Sequence, residues 1–197
     1  MHVRCLSIRG TEDIVLIISG STGTKLGALR SVTRPIDEMT VKELCRETGI
    51  SRQTFYTYFE SKYDIAYWYM ELCETATLNG FRSGEEWRRA LDSYAALMYE
   101  YRDNLQYAFT MTPHDIEILP RFERLVKLFS DVFQRAHGLL TERDTRCICQ
   151  YVFAFRDSVI SWCLDGMELD PPDFSELCYD SIPHHLLSLL SGDVASP

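Results

Sequence analysis

Between Thr40 and Lys62 the chain specifies two short helices and the turn between them through capping chemistry, and this segment constrains the fold more than any other. Thr40-Val-Lys-Glu43 is a capping box: the threonine hydroxyl accepts the third helical amide while the glutamate reaches back to the Thr40 amide. The spacing predicts a helix from Val41 to Glu47 with Val41, Leu44 and Cys45 inward. Thr48-Gly49-Ile50 then makes a tight turn, because glycine adopts a positive φ at little cost. Ser51 caps a second helix, Arg52 to Phe59, on which Phe55 and Phe59 share one face at i, i+4. Ser61 caps a longer helix from Lys62 to about Thr77. Two short helices about a glycine-centred turn make a helix-turn-helix.

The rest of the chain is written in the same helical grammar. Leu26, Leu29 and Val32 predict a short helix over Thr24–Thr33, which Pro35 ends. Ser83-Gly-Glu-Glu86 caps a helix to about Arg102, with Trp87, Leu91, Tyr94, Ala95 and Met98 on one stripe. A short helix follows around Leu105–Thr110, then a periodic one over Ile116–His137. Thr141-Glu-Arg-Asp144 starts a helix to about Asp165, and Gly166 stops it. Asp173-Phe-Ser-Glu176 starts a last helix to about Leu190, kinked at Pro183. The expected class is all-α. Residues 1–21 form a leader that the pattern does not resolve; its Ile14–Ile18 run is shorter than a signal-peptide core.

Charge is divided unevenly. Residues 1–62 carry nine Lys/Arg against seven Asp/Glu, while residues 63–197 carry eleven against twenty-two, so an acidic body of net charge -9 overall has a mildly basic head. That distribution suits a protein that touches nucleic acid at one end. No apolar run approaches the ~20 residues that span a bilayer, which predicts a cytoplasmic protein without a membrane partner. The seven cysteines (Cys5, Cys45, Cys73, Cys147, Cys149, Cys163 and Cys178) match no disulfide framework or zinc motif. They read as buried thiols, with a redox sensor as the other reading. His114, His184 and His185 are surface or core residues on this reading, since adjacent histidines on a helix point about 100° apart. No metal, cofactor or catalytic constellation is predicted.

With Phe55 and Phe59 inward, the second short helix turns Arg52, Gln53, Tyr56 and Thr57 outward. Arginine donates two bonds to guanine O6/N7, and glutamine pairs both ways with adenine N6/N7. Thr54, Tyr56, Tyr58 and Lys62 bring hydroxyls and an ammonium to where phosphates run, although Tyr58 is equally placed to pack on its own domain. A double-stranded DNA partner follows.

The stretch TVKELCRETGISRQTFYTYFESK, Thr40 to Lys62, closely resembles the signature of the tetracycline-repressor (TetR) family. Trp162-x-x-x-Gly166 ahead of Pro171-Pro172 resembles the loop before the family's last helix. The resemblance implies a three-helix DNA-binding domain, here residues 22–66, followed by a helical effector-binding and dimerisation domain, residues 67–197. It implies a ligand-responsive regulator, read as a repressor, that binds a palindromic operator as a homodimer. Carried over by position, Arg52 and Gln53 read bases, Thr54 lines the groove wall, and Lys42, Tyr56, Tyr58 and Lys62 hold the backbone, with Thr40 and Ser51 at the two helix starts. An unidentified small-molecule effector is expected near Trp68, Tyr94, Met98 and Tyr107, residues that serve equally as plain core. The dimer interface is expected on Ile148, Tyr151, Val152, Phe155, Val159, Trp162, Leu177, Leu186 and Leu189, as a four-helix bundle across a two-fold axis. The competing reading is a co-regulator of the same fold that acts through protein contacts with little operator binding.

Overall fold

A computed structural model describes residues 21–109 and 118–191. The leader up to residue 20, with Cys5, and the segment holding Thr110, Met111, His114 and Ile116 lie outside the described residues. Among those described there are ten α-helices, one 3-10 turn and no strand. They are α1 (Ser21–Arg30), the 3-10 turn Ile36–Glu38, α2 (Val41–Thr48), α3 (Arg52–Tyr58), α4 (Asp64–Thr77), α5 (Gly84–Glu100), α6 (Arg102–Ala108), α7 (Ile118–His137), α8 (Glu142–Leu164), α9 (Pro171–Asp180) and α10 (His184–Ser191).

The chain divides into two compact units. Of the described residues, the first contains 21–72, 97–109 and 160–168, and the second contains 73–96, 118–159 and 169–191, so α4, α5 and α8 each contribute to both.

The first unit closes over Leu26, Leu29, Val32, Ile36, Met39, Leu44, Phe55, Phe59, Ile65 and Tyr69, all buried. Helix α1 packs on α2 and on α6, and α2 packs on α3. Its polar links fix α1 from the far side: Arg30 Nη2 donates to Tyr101 Oη at 2.8 Å, and Asn104 Nδ2 donates to the Val32 carbonyl at 2.9 Å. Tyr69 Oη donates to the Leu97 carbonyl at 2.7 Å. Residues 97–109 thus support α1 and its connection to α2, a role not visible in the short-range pattern. Gly166 (φ +70°) ends α8 where an added Cβ would lie 2.9 Å from Gln106 Nε2, so both its conformation and its neighbour require glycine.

The second unit is built on an aromatic cluster. Trp87 lies 4.3 Å from Phe81 and 5.2 Å from Phe129, ring centroid to centroid, and Phe129 continues to Tyr151 and Phe155 at 5.9 and 6.2 Å. Edge-to-face and tilted pairs at such distances add about 0.5–1.5 kcal/mol each beyond area burial. The capping box at the start of α8 forms as expected: Thr141 N and Oγ1 donate to Asp144 Oδ2, both at 2.7 Å. The buried Asp144 carboxylate also meets His185 Nε2 at 2.5 Å, which ties α10 to α8.

Two expectations are corrected. The last helix begins at Pro171, not Asp173, because Asp170 is its cap and accepts the Asp173 amide at 3.0 Å. Proline at the first helical positions gives up only amides that have no helical partner anyway. And Pro183 breaks the helix instead of kinking it: α9 stops at Asp180 and α10 starts at His184, since proline offers no amide and disfavours helical geometry at the residue before it.

Candidate nucleic-acid interface

The helix-turn-helix is fixed by local chemistry at every joint. At the start of α2, Thr40 Oγ1 accepts the Glu43 amide at 3.2 Å while Glu43 Oε2 accepts the Thr40 amide at 2.8 Å, the complete capping box. Gly49 closes α2 with φ +70°, as the turn demands. Ser51 Oγ accepts the Thr54 amide at 3.0 Å and lies 2.9 Å from Thr54 Oγ1. Phe55 is fully buried, 5.2 Å from the Phe59 ring, and this pair anchors α3 to the unit's core.

With that face fixed, the opposite face of α3 is determined. Arg52, Gln53, Tyr56 and Thr57 are all exposed, with Tyr56 at 50%. Positions 52, 53, 56 and 57 recur at i, i+1, i+4 and i+5, one continuous stripe of a helix. Lys42 is exposed on the first turn of α2, and Thr40 and Ser51 are exposed at the two caps. Thr54 is half-buried by its contact with Ser51. Tyr58 is half-buried too, with the Lys25 ammonium 5.4 Å from its ring centroid and equally far from that of Trp68. Lys25 sits beside α3 only through the fold; 33 residues separate it from Tyr58, so periodicity could not have found it. Lys62 directs its ammonium at two backbone carbonyls, of Asp37 at 3.1 Å and Met39 at 2.8 Å.

The capping box carries its own electrostatics. Hydrogen bonds from the Thr40 amide and hydroxyl, then the Arg34 guanidinium 2.8 Å away, bring the Glu43 carboxyl from about 4.5 down to about 2. A carboxyl whose folded pKa is depressed stabilises the fold fully above its unfolded pKa, and that stability is lost as pH falls through the folded value. The cap is therefore expected to hold at pH 4 and to open only toward pH 2. Carboxyl-detected NMR should place the Glu43 midpoint near 2; a midpoint at the ordinary value of about 4.5 would show that the box is not closed in solution.

The other predicted sites are less concentrated. Tyr94 and Met98 are fully buried, Tyr94 with its ring 5.5 Å from Phe155 in the second unit and Met98 in the first. Trp68 and Tyr107 are half-buried in the first unit, and Trp68 packs on Phe59 at 6.3 Å. Ile148, Tyr151, Val152, Phe155, Val159, Trp162, Leu186 and Leu189 are all buried by their own chain, so they are not the surplus apolar surface that the sequence count suggested. The core absorbs them through the aromatic cluster and through bonds such as Tyr151 Oη to the Cys178 carbonyl at 3.1 Å. Of the expected interface only Leu177 is exposed, at 53%, and the large apolar residue most exposed on α8 is Phe153, at 67%. Cys45, Cys73, Cys163 and Cys178 are buried, and burial pushes the Cys178 thiol up to about 12.

Residues 32–66 match the family model described as bacterial regulatory proteins, tetR family, a range that runs from just after α1 through α2 and α3 into α4. Over that segment the chain is similar to the DNA-binding part of TetR-family regulators. No curated protein matches it by sequence. Among solved structures it is similar to a TetR transcriptional regulator from Rhodococcus sp. RHA1, at 15% identity and a TM-score of 0.52, over 89% of this chain and 96% of that one. That likeness is one of fold, and it reaches well beyond the matched segment. Among the described residues no helix is long and apolar enough to cross a membrane, and no three His, Cys, Asp or Glu side chains gather as a metal site.

Proposed function

We propose that this chain is a TetR-like regulator: a cytoplasmic, effector-responsive repressor that binds a palindromic operator as a homodimer, with α3 in the major groove. The observation that carries the reading is the single exposed stripe of Arg52, Gln53 and Tyr56 on a helix whose other face is anchored by Phe55. Arg52 and Gln53 read base edges; Tyr56, Tyr58, Thr54 and Lys42 meet the phosphate backbone, with Thr40 and Ser51 at the helix starts beside it. Two such helices reach one face of a duplex only when two protomers pair, and Phe153 and Leu177 supply exposed apolar surface for that pairing. The effector is proposed to be partly apolar, in keeping with the residue types of Trp68, Tyr94, Met98 and Tyr107.

The test is selection from a random duplex pool, paired with sedimentation. The expected result is a two-fold symmetric motif whose half-sites are spaced by about one helical turn or a multiple of it, bound by a dimer that Phe153→Glu weakens. A monomer at micromolar concentration, or a selected motif without symmetry, would overturn the homodimer reading.

A further inference from the structure

We propose that Lys62 is a positioning residue of the DNA-binding face: its ammonium clamps the segment entering α2 to the turn entering α4, and its charge is spent there and not on a DNA phosphate. The proposal rests on the DNA-binding reading above and reassigns one residue within it.

The backbone around the clamp shows why an ammonium is needed. In the connection from α1 to α2, the Pro35 carbonyl accepts the Glu38 amide at 2.9 Å, the Ile36 carbonyl accepts the Met39 amide at 3.1 Å, and the Thr40 carbonyl accepts the Leu44 amide at 3.1 Å. The carbonyls between them, of Asp37 and Met39, take the Lys62 ammonium at 3.1 and 2.8 Å. Only a lysine offers three donors on one compact charged atom at the end of a flexible stem. Lys62 does not act alone. Tyr63 Oη donates to Asp37 Oδ1 at 2.9 Å, and the Lys62 ammonium lies 5.1 Å from the Tyr63 ring centroid. The turn that carries both residues is itself held, since Ser61 N and Oγ donate to Asp64 Oδ2 at 2.7 and 3.1 Å.

The clamp closes immediately before Thr40, whose extended backbone (φ -98°, ψ 152°) lets its hydroxyl reach the Glu43 amide. Moving the ammonium out to a phosphate would release the Asp37 and Met39 carbonyls, three residues and one residue ahead of that cap. Lys42 presents the contrasting case: it is exposed on α2 and free to face the duplex.

Salt dependence separates the two roles. Each phosphate contact lowers the slope of log K against log salt by about 0.9, so a lost contact shows as a shallower slope, whereas a positioning residue lowers affinity at every salt without changing the slope. The probe is the duplex that wild-type protein selects from a random pool. Lys62→Met is expected to weaken binding about three- to tenfold at each salt concentration, with the wild-type slope retained, and to speed hydrogen exchange of the Thr40 and Glu43 amides in the free protein. Lys42→Ala is expected to lower the slope by about 2 for a dimer. A slope loss in Lys62→Met equal to that of Lys42→Ala, or unchanged exchange at Thr40 and Glu43, would overturn the proposal. If Lys62→Met fails to fold, Lys62→Gln, which keeps a donor for one carbonyl, carries the same two readouts. If the wild-type chain selects no duplex, the DNA-binding reading fails by itself, and the exchange measurement alone decides the clamp.

Discussion

Phe55→Ala is expected to cost about 3–5 kcal/mol and to abolish DNA binding. Phe55 has no exposed surface, and its ring lies 5.2 Å from Phe59 and 5.5 Å edge-on to Tyr56. It is the one buried residue of α3, so its removal both opens a cavity and frees α3 from the unit that orients it. A helix of seven residues does not persist without such packing, because nucleation outweighs the few bonds it can form. Thermal melting and a gel shift check the two halves of the expectation. A variant that melts like the wild type would show that α3 is held by something other than this aromatic pair.

Arg52→Ala is expected to leave the fold untouched and still cost about 1–3 kcal/mol of base discrimination per half-site. Arg52 is exposed just after the Ser51 cap, and the cap itself, Ser51 Oγ to the Thr54 amide, does not involve the guanidinium. The loss should therefore fall on one symmetric pair of operator positions. Tyr56→Phe should act differently: it removes a hydroxyl from the same stripe and should weaken all duplexes about equally. The two variants must be compared at one salt concentration, because phosphate contacts make affinity steeply salt-dependent. Equal behaviour of the two would mean that position 52 reads no base.

The helix-turn-helix was legible in the sequence because its punctuation is local. Thr40 with Glu43, Gly49, and Ser51 each act within three residues of themselves, and each does in the fold what its spacing predicts. The ends of the chain's last helix were harder, because Pro171-Pro172 reads equally as loop and as a first helical turn until Asp170 is seen to cap it. Long-range chemistry was not legible at all. The carbonyl partners of Lys62 lie 23 and 25 residues before it, and Asn104 reaches the Val32 carbonyl across 72. Counting apolar residues on α8 also overstated the free surface, since a helical stripe does not reveal how much of it its own chain covers. Ile148, Tyr151 and Phe155 go to the core, while Phe153, between them, stays out.

The central claim is that the outward stripe of α3 lies against DNA, and site-specific photocrosslinking tests it most directly. A benzoylphenylalanine in place of Gln53, an exposed position next to Arg52, is expected to crosslink to the selected duplex on irradiation. The same group in place of the exposed Phe153 is expected to leave the duplex free and to join two copies of the chain. A bound duplex that crosslinks from position 153 and not from position 53 would contradict the account.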